Sequence, residues 1–107
     1  MENDRIEFLH HALAANPDDA FAHYALALEL ANRGQNEEAW QHFEYLLTHH
    51  PDYAPAYYQA GMLLLRQGRR EAAGKAFAKG IELTGREGNT HAQKQLQAAL
   101  DMLQSHG

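Results

Sequence analysis

Eight histidines stand in this chain of 107 residues, several of them adjacent or close together: His10-His11, His42 and His49-His50. Imidazole nitrogens are common metal ligands, so the first chemistry these residues suggest is metal binding. Their spacing speaks against it. Neighbouring residues on a helix point about 100° apart, and no two histidines stand at the i, i+4 step that sets two ligands on one helical face. The expectation is no metal site, with the histidines solvated at the surface and His23 packed between helices. A mild pH dependence follows, because the formal net charge of −5 counts histidine as neutral. Catalysis finds no better footing. There is no glycine-rich phosphate loop and no cysteine, and the only serine, Ser105, sits near an end that should fray. The carboxylates are spread along solvent-facing positions rather than paired, so general acid–base chemistry has no obvious site. The chain reads as a non-enzyme without a cofactor.

Arg66, Arg69, Arg70, Lys75 and Lys79 form a basic cluster, but without interleaved aromatics or a nucleic-acid motif they read as a solvated face. The charge is unevenly divided. Residues 1–53 carry ten acids against Arg5 and Arg33, or −8, while residues 54–107 carry four acids against seven bases, or +3. Hydrophobic residues at 45% with 21% charged indicate a chain that folds rather than one kept open by its charge. The densest apolar run, Met62-Leu63-Leu64-Leu65, ends at Arg66, far short of the ~18 apolar residues a membrane span requires. With no cysteine and no basic-then-apolar leader after Met1, the expected home is the cytoplasm.

The elements that must carry these residues are written in a repeat. Sliding Pro17–His50 onto Pro51–Thr84, a shift of 34 residues, matches Pro17, Asp18, Ala20, Ala22, Tyr24, Leu30, Gly34, Glu37, Ala39 and Phe43 with identical types. Such self-similarity predicts a helix–turn–helix array whose units bury their apolar faces by stacking. Ile6, Leu9 and Leu13 stripe a first helix over about 5–15, capped by Asp4 with Glu7. Asp18 is expected to cap the next helix, which stops near Gly34, and Asn36 its partner, which ends at His50-Pro51. The second copy starts with Asp52 as cap and Pro55 in the first turn, halts at Gly68, and resumes from about Arg70 to Leu83. Residues 85–89 read as a turn, and Thr90 with Gln93 as a capping box for a last helix over 90–104. Small residues at equivalent places, Ala27 with Gly61 and Ala39 with Ala73, should let helices approach closely around Phe43 and Phe77.

Ala25-Leu26-Ala27, Leu30, Gly34, Ala39, Phe43 and Pro51, then Ala60-Gly61, Leu64, Gly68, Ala73 and Phe77, resemble the signature of the tetratricopeptide repeat (TPR) family. The layout is also similar to small stand-alone bacterial members of unassigned function. Two full repeats would cover 18–51 and 52–85, with a half-repeat helix before and a capping helix after, all in a single domain of residues 1–107. His23 and Tyr57 replace the usual Trp, Ala27 the usual Gly, and Thr84-Gly85 stands where a proline would close the second repeat. The resemblance implies an all-α, antiparallel helix–turn–helix solenoid.

It also implies a non-catalytic module that binds a protein or peptide in a concave groove lined by the first helix of each repeat. Mapped onto this chain, the groove takes Phe21, Tyr24, Leu28 and Asn32 from one repeat, with Ala25 and Ala31 beside them. From the next it takes Pro55, Tyr58, Gln59, Met62, Leu65 and Arg66. The family's Lys/Asn clamp for a peptide carboxylate has no counterpart at these positions. An aromatic, Met-containing surface instead suits an apolar extended segment or an amphipathic helix. The alternative is a homo-oligomeric structural module, such as a homodimer, that associates through this groove or through its oppositely charged ends. Neither reading needs nucleic acid or a membrane.

Overall fold

The structure is a computed structural model that describes residues 2–105, with side chains from Arg5 to Ser105. The order is α1 (Glu2–Ala15), α2 (Ala20–Asn32), α3 (Asn36–His49), α4 (Pro55–Arg66), α5 (Arg70–Glu87) and α6 (Thr90–Ser105). There is no strand among the described residues, and the fold is an all-α helical repeat. Two compact units divide the chain between Tyr53 and Ala54.

In unit 1, α2 packs against α1 and α3. Its buried residues are Ala22, His23, Ala25, Leu26, Ala27 and Leu30, and α3 buries Ala39, Phe43 and Leu46. Alanines at the contact let two backbones come close, while the buried Phe43 supplies the volume between them. Arg5 of α1 and Arg33 both reach Glu29 of α2, at 3.0 and 3.3 Å, so the two Lys/Arg cations of residues 1–53 converge on one carboxylate.

In unit 2, α5 packs against α4 and α6. Gly61 allows the first contact to be close: a Cβ added there would run into Cε1 of the fully buried Phe77. Gly80 serves both neighbours of α5, since a Cβ there would meet Cβ of Tyr57 at 2.8 Å and Cδ1 of Leu96 at 2.9 Å. Arg70 leaves the expected basic cluster to donate from Nη2 to the Leu103 carbonyl at 2.6 Å, which fastens the start of α5 to the end of α6.

Several helix ends differ from their sequence expectation, each for a local reason. α1 begins at Glu2, so Asp4 lies within the helix rather than capping it; the Asp4 side chain lies outside the described residues. The cap of α2 is Asp19, whose Oδ1 accepts from Ala22 N at 3.1 Å, because Asp18 is drawn away by partners on α3. Asn36 is the first residue of α3, preceded by Gln35, which makes no side-chain cap bond. Asp52 does not cap α4 either: the preceding residue is Ala54, and Pro55 starts the helix where a missing N–H is not needed. α6 is capped by Asn89, whose Oδ1 takes Ala92 N at 3.1 Å, and Gln93 instead turns its amide toward the Ile81 carbonyl.

The expected turn over 85–89 is the largest difference. α5 continues through Gly85 to Glu87 and closes at Gly88, with φ 72°. After α3 the equivalent of Gly85 is Pro51, and a proline disfavours helical backbone at the residue before it. With glycine there, helix formation runs on for another turn. α2, α4 and α5 all close on the same motif: Gly34, Gly68 and Gly88 take positive φ, and the next amide bonds back to Leu30, Leu64 or Thr84, each at 2.9 Å.

Candidate functional site

The ten expected groove residues fall on two helices in different units. On α2, Phe21 is 65% exposed, Asn32 is exposed, and Tyr24 and Leu28 are half-buried. Ala25, grouped with this face by its spacing, is buried and belongs to the core. On α4, six of its twelve residues are buried (Ala56, Tyr57, Ala60, Gly61, Leu63 and Leu64), Tyr58, Gln59, Met62 and Leu65 are half-buried, and Pro55 and Arg66 are exposed.

A helix has room to bury about half its circumference against one partner layer. The outward half here is not the usual charged surface: on α4 it carries Tyr58, Met62 and Leu65 with a single cation, Arg66. Each face is stiffened from within its own unit. The Tyr24 ring lies 5.5 Å from that of Tyr53, and the Tyr58 ring 6.3 Å from that of Phe77. Burial, with the Asp19 charge added, raises the Tyr53 phenol above its ordinary range, so it is neutral in any physiological buffer. Such faces offer apolar area held in place, with hydrogen-bonding edges at Asn32, Gln59 and Arg66.

A second constellation, which sequence reasoning missed, lies at the α2–α3 contact of unit 1. His23, 7% exposed, sets Nε2 at 2.8 Å from the Pro17 carbonyl oxygen and Nδ1 at 3.0 Å from Nδ1 of His42 on α3. Tyr45 stacks on the His23 ring at 4.0 Å, and its hydroxyl donates to Asp18 Oδ1 at 2.6 Å. His50 Nε2 lies 2.8 Å from the same oxygen. These two bonds hold the Asp18 carboxyl below the usual carboxylate range although it is exposed to water, and Asp18 in turn raises the Tyr45 phenol. His42 is pushed down, first by burial, then by His23 and His10, with Glu38 opposing.

The signal for this cluster was in the alignment of the two repeats, at the positions where they disagree. His23, His42, Tyr45 and His50 stand opposite Tyr57, Ala76, Lys79 and Thr84. The identities between repeats report the fold, whereas these mismatches mark what one copy does differently. Among the described residues no group of three or more His, Asp or Glu side chains is placed to hold a metal ion.

The alternation of buried and outward helical faces, closed by glycine at matching places, is that of a helical-repeat interaction scaffold. The sequence profile of the tetratricopeptide repeat family matches residues 1–55 and again 30–87, and the chain belongs to that family. It is similar to a tetratricopeptide repeat domain protein from Salinibacter ruber solved by NMR, at 34% identity over 84% of this chain and 91% of that one, with a TM-score of 0.79. A protein from Bordetella parapertussis shares 28% identity over 94% of this chain and 88% of its own, with a TM-score of 0.80. PcrH, solved in complex with the chaperone binding region of PopD, superposes with a TM-score of 0.90 over 98% of this chain and 80% of its own; at 16% identity this likeness concerns the fold. No curated protein matches the sequence. Among the described residues no helix is long and apolar enough to cross a membrane.

Proposed function

We propose that the protein is a non-catalytic docking module that takes an apolar segment, presented as an amphipathic helix or an extended peptide, on the outward faces of α2 and α4. The observation that carries this reading is the composition of those faces, above all the α4 half built from Pro55, Tyr58, Gln59, Met62, Leu65 and Arg66. Aromatic and Met side chains that remain outside the core mark contact surfaces, and Met adapts its shape to different apolar partners. PcrH, which shares the fold, holds a segment of another protein, and this supports the same use here. The formal charge of −8 over residues 1–53 adds a preference: a partner segment flanked by Lys or Arg is drawn toward unit 1, and one flanked by Glu is repelled. The work is done in the cytoplasm, without cofactor, nucleic acid or membrane.

The test is a fluorescence-anisotropy series with matched amphipathic helical peptides that differ only in Lys or Glu flanks. The Lys-flanked peptide binds more tightly and loses affinity with added salt. Tyr24→Ala and Met62→Ala, neither of them in the core, each weaken binding by about ten-fold or more while the circular dichroism spectrum is kept. Full binding by both variants refutes the reading.

The change of charge sign between the units favours one other function, association with a second copy through opposite charges. Mass in solution separates the two: a dimer at low salt that dissociates at high salt supports self-association, and a monomer throughout removes it.

A further inference from the structure

The chain holds two versions of one helical hairpin, α2–α3 and α4–α5, and only the first places two imidazoles nitrogen to nitrogen. The Pro17 carbonyl can only accept, so His23 Nε2 carries a hydrogen at their 2.8 Å contact. In the neutral pair the His23 Nδ1 is therefore the acceptor, and the single hydrogen between the rings sits on His42 Nδ1 at 3.0 Å. A first added proton fits: it goes to Nε2 of the half-buried His42 and leaves the shared hydrogen in place. A second does not. It would set two N–H groups against each other across 3.0 Å while both rings are positively charged.

We propose that the His23–His42 contact is an acid-sensitive catch that holds α2 to α3 near neutrality and lets unit 1 loosen in mildly acidic solution, while unit 2 keeps its packing. This device stands independently of what the outward faces bind.

The groups around the pair set its direction. From α1, His10 also disfavours a positive charge on His42; from α3, Glu38 favours one; Tyr45 covers one face of the His23 ring. At the edge of the cluster Asp18 is engaged with Tyr45 and His50, and its carboxyl titrates far below the histidine range. His42, half-buried beside His23 and His10, resists protonation in the folded state relative to an unfolded value of about 6.5. The unfolded chain then binds more protons, so the stabilisation is complete above that value and is lost as pH falls through the lower folded value. The second hairpin has Tyr57 and Ala76 at the equivalent places and so carries no imidazole there.

Backbone amide hydrogen exchange on the intact protein, corrected for intrinsic rates, tests this at about pH 7.5 and about pH 5. The expected result is a loss of protection in α2 and α3 at least about ten-fold greater than in α4 and α5. In His42→Gln the selective loss disappears, because an amide can donate to or accept from His23 Nδ1 and only one ring remains to be charged. Should that variant fail to fold, His42→Ala, which installs the residue of the second hairpin, carries the same expectation. The wild-type protein also decides the matter alone: nitrogen NMR of the imidazoles must show the pair taking up its second proton in step with the loss of protection. Equal loss in all four helices, uptake of that second proton outside that step, or a selective loss that survives the variant overturns the proposal.

Discussion

Two adjacent acids, Asp18 and Asp19, show how one residue step separates roles. Asp19 satisfies an otherwise unpaired amide at the start of α2, whereas Asp18 reaches the end of α3 through Tyr45 and His50. Asp19→Ala should cost about 1 kcal/mol in urea unfolding, the usual worth of a helix cap, and the exposed Asp52→Ala less than about 0.5 kcal/mol. Equal losses would refute the assignment. Gly61→Ala, which drives a methyl into Phe77, should lower stability by about 1–3 kcal/mol, with a matching fall in melting temperature. At this scale the sequence was only partly legible. The shared small residues and Phe43/Phe77 could be read from the repeat, but the choice between two neighbouring carboxylates depends on where a tyrosine and a histidine twenty-seven and thirty-two residues away come to rest. The His23–His42 contact depends likewise on the pairing of two helices, which local spacing does not describe.

Four of the six helices were legible because a 34-residue period repeats their apolar stripes and the glycines that close α2 and α4, and α1 and α6 were legible from apolar stripes of their own. Their ends were less so, since a single substitution at a terminus moves it by a turn. Gly85 and Gly88 give the sharpest test of the observed end of α5. Gly85 is helical, and an added Cβ would meet the movable amide end of Gln93, so Gly85→Ala should be neutral or stabilise by up to about 1 kcal/mol. Gly88 has open space around it but holds φ at 72°, so Gly88→Ala should destabilise by about 1–2 kcal/mol. Were a turn to begin at Gly85, the order would reverse.

For the molecule as a whole, the division between units after Tyr53 falls two residues past the start of the second repeat counted from Asp52. Each unit joins one repeat to a flanking helix, which gives the central helix of each a partner on both sides. Two repeats are few for an architecture in which about three are commonly needed, and α1 and α6 supply the missing cover. That same division after Tyr53 is where the formal charge passes from −8 to +3. A cut in that link, followed by denaturant, would yield two fragments that ion-exchange resins sort in opposite directions, the front half held by a cationic column and the rear half by an anionic one.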